Sequence, residues 1–333
     1  MKRRILVLAV LVVAIALGKT GQAEVTILDH PLGENGTWAY GIDGSNVVGI
    51  YSDSSNFVHG FLYDGSSYTT LDAPLGATRT NAFGISGSNI VGNYQDLSGR
   101  GFGYLYDGST WTTLNGPGTH FFSYATGISG SNILGDYYDT SGKTRGFLYD
   151  GSTYTTLDHP LGVNGTWASG INGSNVVGYY LDSSNTSHGF LYDGSTWTTL
   201  DAPWGAGLGF YATMLTGISG SNIVGYYRDS SGFDHGFLYN GSTWTTTNAP
   251  FAAYGIDGSN VVGYYWDSSG FGSGYHGFLT PISGFPPEFP GGGGGSEVPE
   301  PSMFAILLGL GGMALILQRS YASRDTNRLW PFE

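Results

Sequence analysis

The stretch YATGISGSNILGDYYDTSGKTRGFLYDGSTYTTLDHP, residues 124–160, holds four short runs of β-forming residues, each closed by its own turn chemistry. Tyr124–Ile128 is the first run, and Ser129–Ser131 turns the chain. Asn132–Tyr138 is the second. Asp139-Thr140-Ser141-Gly142 follows, with Asp at the first and Gly at the last position of a four-residue turn. Arg145–Tyr149 is the third run, and Asp150-Gly151 reads as a two-residue hairpin because both residue types tolerate positive φ. Thr153–Leu157 is the fourth, ended by Asp158-His159-Pro160, since proline cannot donate to a ladder. The unit predicts a four-stranded antiparallel sheet.

The same phrase recurs along the chain. Gly-Ser-Asn begins at Gly44, Gly87, Gly130, Gly173, Gly220 and Gly258, at spacings of 43, 43, 43, 47 and 38 residues. These are six copies, with an insertion ahead of the fifth around Gly205–Met214 and a deletion ahead of the sixth. Four strands in a unit of this length is the size of a propeller blade. The expectation is therefore all-β: a six-bladed β-propeller of four-stranded antiparallel blades over residues 24–282, with a β-solenoid as the alternative. Ala125 and Gly127 are small enough for a crowded centre, while the aromatic residues of the third and fourth runs fill the space between blades. The sixth copy ends at Pro281 without a fourth run, and Val25–Asp29 is a fourth-run phrase without a copy of its own. The ring is expected to close by antiparallel pairing of Val25–Asp29 with Tyr275–Thr280, because no unit of a repeat array buries both faces alone.

Composition bounds the chemistry. The 333 residues contain 57 Gly, 15% aromatics and no cysteine, which excludes disulfides, thiol catalysis and thiolate metal sites. Between residues 24 and 301 there are 5 basic residues (Arg79, Arg100, Lys143, Arg145, Arg228) against 23 acidic ones, a net −18. Such a surface repels phosphate backbones, so nucleic acid is not an expected partner.

Both ends read as addresses. Lys2, Arg3 and Arg4 precede an apolar run, Ile5–Leu17, and Gly21-Gln22-Ala23 supplies small residues at a cleavage site. This is the pattern of a secretory signal peptide, residues 1–23, cut by signal peptidase between Ala23 and Glu24. Gly291–Gly295 lies in a Gly/Pro-rich linker, 283–298. Val298-Pro299-Glu300-Pro301 then leads to an apolar run, Met303–Leu317, and to Arg319, Arg324 and Arg328. A helix is expected in each apolar run, and the flanking basic residues place both ends at the cytoplasm. Val298–Pro301, the apolar run and the arginines together resemble the PEP-CTERM sorting signal of Gram-negative bacteria that export polysaccharide. The resemblance covers roughly residues 297–319 and places the sorting segment at 299–333. It implies recognition by an exosortase, transient anchoring in the inner membrane and release to the cell surface or extracellular matrix. Ser320–Glu333 departs from the pattern, because such signals usually stop soon after the arginines.

The repeat unit in turn resembles the extracellular HAF-repeat family. Here Gly replaces the Ala of His-Ala-Phe, as in His59-Gly60-Phe61, His188-Gly189-Phe190, His235-Gly236-Phe237 and His276-Gly277-Phe278. That resemblance implies an extracellular repeat protein and no activity. Four histidines spread one per blade lie too far apart for one ion's ~2 Å ligand shell, so each is expected to satisfy a turn. Asp53, Asp96, Asp139, Asp182, Asp229 and Asp267 lack the clustering of calcium loops and are read as turn formers. Asp193–Trp197 is similar to the Asp-box of sialidase-type propellers but one residue short, and the arginine cluster of that chemistry is missing. No catalytic residue, metal site or cofactor is nominated. The expected role is structural or interactive, in an exopolysaccharide or biofilm matrix. Binding of surface glycans by aromatic platforms is the first alternative and an unrecognised propeller hydrolase the second.

Overall fold

A computed structural model of the chain describes residues 25–74, 77–117, 123–205, 209–246, 250–267 and 274–286. The expected signal peptide, the Ala23–Glu24 cleavage site, the sorting motif Val298–Pro301 and both apolar helices lie outside them. Among the described residues no helix is long and apolar enough to cross a membrane.

The described chain is all-β. A leading strand, β1 (Thr26–Leu28), is followed by β2 (Thr37–Asp43), β3 (Asn46–Ser52), β4 (Val58–Tyr63) and β5 (Tyr68–Leu71). The second repeat forms β6 (Arg79–Ser86), β7 (Asn89–Gln95), β8 (Gly101–Tyr106) and β9 (Trp111–Leu114). The third forms β10 (Ser123–Ser129), β11 (Asn132–Tyr138), β12 (Thr144–Tyr149) and β13 (Tyr154–Leu157). The fourth forms β14 (Gly165–Asn172), β15 (Asn175–Leu181), β16 (Ser187–Tyr192) and β17 (Trp197–Thr199). The fifth forms β18 (Met214–Ser219), β19 (Asn222–Arg228), β20 (Asp234–Tyr239) and β21 (Trp244–Thr246). The last forms β22 (Phe251–Asp257), β23 (Asn260–Asp267) and β24 (Gly274–Pro281).

In the third repeat every expected strand is present within a residue of its reading. One turn differs. Asp150-Gly151 is not a two-residue hairpin: Tyr149 pairs with Tyr154, leaving a four-residue loop. The Asp150 carboxylate folds that loop by accepting the amides of Ser152 and Thr153 at 2.8 and 2.7 Å. An Asp that satisfies two turn amides itself makes the longer loop as good as a tight one.

The first four repeats form four separate four-stranded antiparallel sheets. Six separate ones were expected. The other eight strands form a single sheet, in which β24-β23-β22, edged by β1, meets β20-β19-β18, edged by β21. One parallel bridge, His235↔Phe251, joins the halves. The cause is the deletion ahead of the sixth copy. Only four residues separate β21 from β22, so Phe251 is drawn so close to β20 that a Cβ on Gly236 would lie 2.1 Å from its ring.

The inner strands β2, β6, β10, β14, β18 and β22 form a closed ring, the arrangement of a β-propeller, which rules out a solenoid. Each carries a glycine where its neighbour passes. A Cβ built on Gly41 would lie 3.0 Å from Gly84 Cα, and the contact continues through Gly127, Gly170 and Gly217. It returns to its start, where a Cβ on Gly255 would lie 3.2 Å from Gly41 Cα. A second cycle runs through the hairpins between first and second strands. Gly87 N donates to Asp43, Gly130 N to Ser86, Gly173 N to Ser129, Gly220 N to Asn172 and Gly258 N to Ser219. Gly44 N closes it by donating to Asp257 at 2.8 Å. The expected splice is also present: β1 pairs antiparallel with β24, Ile27 opposite Phe278.

Between blades the core is a wedge of rings. Phe61, Phe147, Phe190, Phe237 and Phe278 are fully buried, each worth roughly 1.5–3 kcal/mol of burial. Each lies over the glycine of its neighbouring second strand; a Cβ on Gly135 would lie 2.5 Å from the Phe147 ring.

Candidate functional site

The ring has two unlike ends. The Gly-Ser-Asn hairpins and Asp-Gly-Ser loops form one. The registers Thr37↔Tyr51 and Ser52↔Val58 place the starts of inner strands and the turns between second and third strands at the other. All exposed large apolar side chains among the described residues lie at this second end, including Phe57, Leu97, Phe233 and Trp266.

Midway along the inner strands a set of side chains surrounds the ring axis, termed the recess. Every inner strand slips register by one residue, between Ala39 and Gly41 in the first copy and equivalently in the others. Bulges re-aim side chains, and the bulged residues Tyr40, Phe83, Thr126, Ser169, Thr216 and Tyr254 reach toward adjacent strands. Tyr40 meets Tyr254 and Phe83 at ring distances of 4.9 and 5.3 Å. On the other half, Thr126 and Thr216 hydroxyls donate to the carbonyls of Ala168 and Ala253 at 2.6 and 2.8 Å. The recess is thus aromatic on one half and hydroxylic on the other.

Behind this circle sits a second tier, where the repeats differ most. The residue after the second-strand glycine is Ile50, Asn93, Asp136, Tyr179, Tyr226 or Tyr264. Opposite these across the ladder stand Trp38, Asn81, Tyr124, Trp167, Met214 and Ala252. Trp167 stacks on Tyr179 at 5.0 Å and 6°. Tyr264 contacts Tyr254 at 5.5 Å, and Tyr275 bridges to Trp38 at 5.1 Å. Tyr226 is buried, and Trp38, Tyr124, Trp167, Tyr179 and Tyr264 are partly buried. Burial pushes the hydroxyls of Tyr40, Tyr179, Tyr254 and Tyr264 well above the usual tyrosine range, and that of Tyr226 to about 12. All stay protonated donors at neutral pH.

The insertion ahead of the fifth copy adds to the rim. It forms a short 3₁₀ turn, Gly209–Tyr211. Phe210 packs on Trp167 at 6.4 Å, and the Arg228 guanidinium lies 3.9 Å above the Tyr211 ring. Asp234 holds that guanidinium through two bonds of 2.7 and 3.2 Å.

Asp136 is the exception among the charged groups. It is 8% exposed, and its Oδ1 accepts the Ala168 amide at 2.9 Å. No other hydrogen bond or ion pair reaches it among the described residues. Burial pushes its carboxyl up to about 8, the Ala168 bond opposing only partly.

The residues singled out from sequence have structural roles. Asp53, Asp96, Asp139, Asp182 and Asp229 each accept the amides two and four residues on, as Asp53 does from Ser55 and Phe57 at 2.8 and 2.9 Å. The turn after Asp267 lies outside the described residues. His59 joins Asp72 at 2.9 Å and approaches Asp53 at 3.5 Å; His188 does the same with Asp201 and Asp182. His235 binds Asp229 and His276 binds Asp29, each at 2.9 Å. The histidines are not brought together, and no group of three or more metal-ligating side chains occurs among the described residues. What sequence reading missed is Asp136 and the aromatic tier. The available signal was the variable position after the glycine in a second strand whose first, fourth and sixth positions are constant.

No protein-family model and no curated protein matches this chain. Among solved structures it is similar to the lectin of Aleuria aurantia, described as a six-bladed β-propeller with fucose recognition. Identity there is 16%, over 80% of this chain and 98% of that one, with a TM-score of 0.46. The protein AofleA from Arthrobotrys oligospora shares 13% identity over 74% and 84% of the two chains, with a TM-score of 0.49. TolB from Acinetobacter baumannii shares 16% over 72% and 65%, with a TM-score of 0.46. At these identities the likeness is one of fold, and nothing about ligands is taken from it.

Proposed function

We propose that this protein is an exported carbohydrate-binding β-propeller without enzymatic activity, whose glycan site is the aromatic recess. The eight-stranded sheet counts as two fused blades in this reading, so the ring has six. The observation that carries it is the set of partly buried rings around the axis, with the Trp167–Tyr179 stack and the Trp38–Tyr275 pair among them. Sugar rings present an apolar face to aromatic platforms and hydroxyls to their polar neighbours, which Thr126, Ser169 and the tyrosine hydroxyls supply. The sequence pattern at both ends supports the setting: secretion after Ala23, sorting by an exosortase at Val298–Pro301, and residence at the surface or in the exopolysaccharide matrix of a Gram-negative cell. β24 runs out at Pro281 beside Asn260, at the hairpin end.

Screening residues 24–290 on a glycan array tests the reading. Binding accompanied by a change in tryptophan fluorescence is expected, with Trp167→Ala weakening it by about tenfold or more. Absence of binding to every glycan refutes it. Mass spectrometry of the surface fraction tests the sorting. The mature chain should start at Glu24 and lack Met303–Leu317, and an intact C-terminus is incompatible with exosortase processing.

A further inference from the structure

We infer that the recess selects sugars bearing a free, protonated amine, with Asp136 as the group that receives it; this rests on the carbohydrate-binding reading above. Three observations carry it. Asp136 is nine-tenths buried, and one N–H is all that serves its two oxygens among the described residues. The amide it takes belongs to Ala168, next in chain to Trp167, so the carboxyl adjoins the Trp167–Tyr179 stack. And no Lys, Arg or His among the described residues forms an ion pair with it. Tyr124 and Tyr179 are ionisable neighbours, and burial raises both hydroxyls, so they are uncharged at neutral pH. Lys143 and Arg145 in the same repeat are committed to Asp139 and Asp158, and Arg79, whose field reaches Tyr40 and Tyr124, forms no ion pair with Asp136.

The second repeat shows what a neutral site looks like in this position. There Asn93 accepts from the Asn81 side chain at 2.9 Å and is satisfied within the protein. An amide at position 136 would take the Ala168 N–H equally well, without the cost of a buried carboxyl. With no counter-ion among the described residues the buried carboxyl stays protonated when the recess is empty; an entering ammonium lets that proton pass to solvent and forms a charge-assisted N⁺–H···O⁻ bond that a hydroxyl does not match. The ligand class is accordingly an oligosaccharide of amino sugars with unacetylated nitrogen.

The test compares β-1,4-linked glucosamine oligomers with their fully N-acetylated counterparts, by calorimetry at pH 7 on the full chain. The two differ only in the charge on nitrogen and its acetyl cap. The free amines should bind at least about tenfold tighter, a difference of about 1.4 kcal/mol. Asp136→Asn keeps the Ala168 bond and should remove that preference. Asp136 holds its proton at pH 7 in the free protein, so the variant leaves the net charge nearly unchanged and general attraction of a polycation to this acidic protein would survive it. Equal or tighter binding of the acetylated oligomers overturns the inference, as does an undiminished amine preference in Asp136→Asn. If neither oligomer binds while neutral glycans do, the amine inference falls and the carbohydrate reading stands. If no glycan binds, both fall.

Discussion

Tyr104 stands where five other repeats place Phe61, Phe147, Phe190, Phe237 and Phe278. Its hydroxyl is buried with no hydrogen-bond partner among the described residues. A buried donor left unmet costs about 1–3 kcal/mol, so Tyr104→Phe should raise unfolding stability by about that amount in urea titration. A loss of stability would mean the hydroxyl is satisfied. Three other buried groups set the pH profile. His30 and His159 stack on Tyr51 and Tyr180 at 3.7 and 3.8 Å. Burial lowers both imidazoles to about 4. The unfolded chain then holds more protons between pH 4 and 6.5, and stability is lost as pH falls through that window. Asp136 acts in the opposite sense: raised to about 8, it holds its proton in the folded state, and stability is lost as pH rises toward 8. Each group contributes at most about 1.4 kcal/mol per pH unit. Stability should therefore peak near pH 6.5, and Asp136→Asn should flatten the limb between 6.5 and 8. An unchanged alkaline limb in that variant would place the carboxyl in water.

Closure is decided by one element of three residues. β1 supplies the outermost strand to the last blade, and it repeats the side-chain contacts of a fourth strand. His276 meets Asp29 at 2.9 Å, as His59 meets Asp72 at 2.9 Å and His188 meets Asp201 at 2.8 Å. Leu28 is 1% exposed in the adjoining core. Leu28→Ala should cost about 2–5 kcal/mol, more than the same change at the half-buried Leu200 of the fourth repeat. Removing residues 25–30 should leave the β24 edge unpaired and make chains associate. Sedimentation showing an unaltered monomer after that deletion would mean the closing strand is dispensable.

At the scale of the molecule, two cycles of six contacts hold the ring: the glycine approaches near the axis and the hairpin hydrogen bonds at one end. Both depend on what the repeats share. The recess depends on where they differ: the aromatic bulges Tyr40, Phe83 and Tyr254 face the hydroxyls of Thr126, Ser169 and Thr216. A site built from that asymmetry occurs once per ring. Calorimetry with a bound glycan should give one site per chain. Several equivalent sites would instead assign binding to grooves repeated between blades.

The repeat by itself determined the strands, the turn-forming aspartates and the place where the ends meet. Strand period, Gly-Ser-Asn and Asp-x-x-Gly turns act within a few residues of chain, and the orphan phrase at Val25–Asp29 has one vacant edge to fill. The joining of the fifth and sixth repeats in one sheet was not legible, because it depends on how near a shortened connection draws Phe251 to β20. Neither was the recess. Tyr40, Tyr254, Trp167 and Tyr179 lie in first and second runs, where the sequence assigns them no role, and only the closed ring of inner strands gathers them about one axis. Asp136 read as one more polar residue in a Gly-Asp-Tyr-Tyr strand. Only the packing of the next blade over it takes away water and leaves a single amide in its place, and burial is a property that residues far apart in sequence confer on one another.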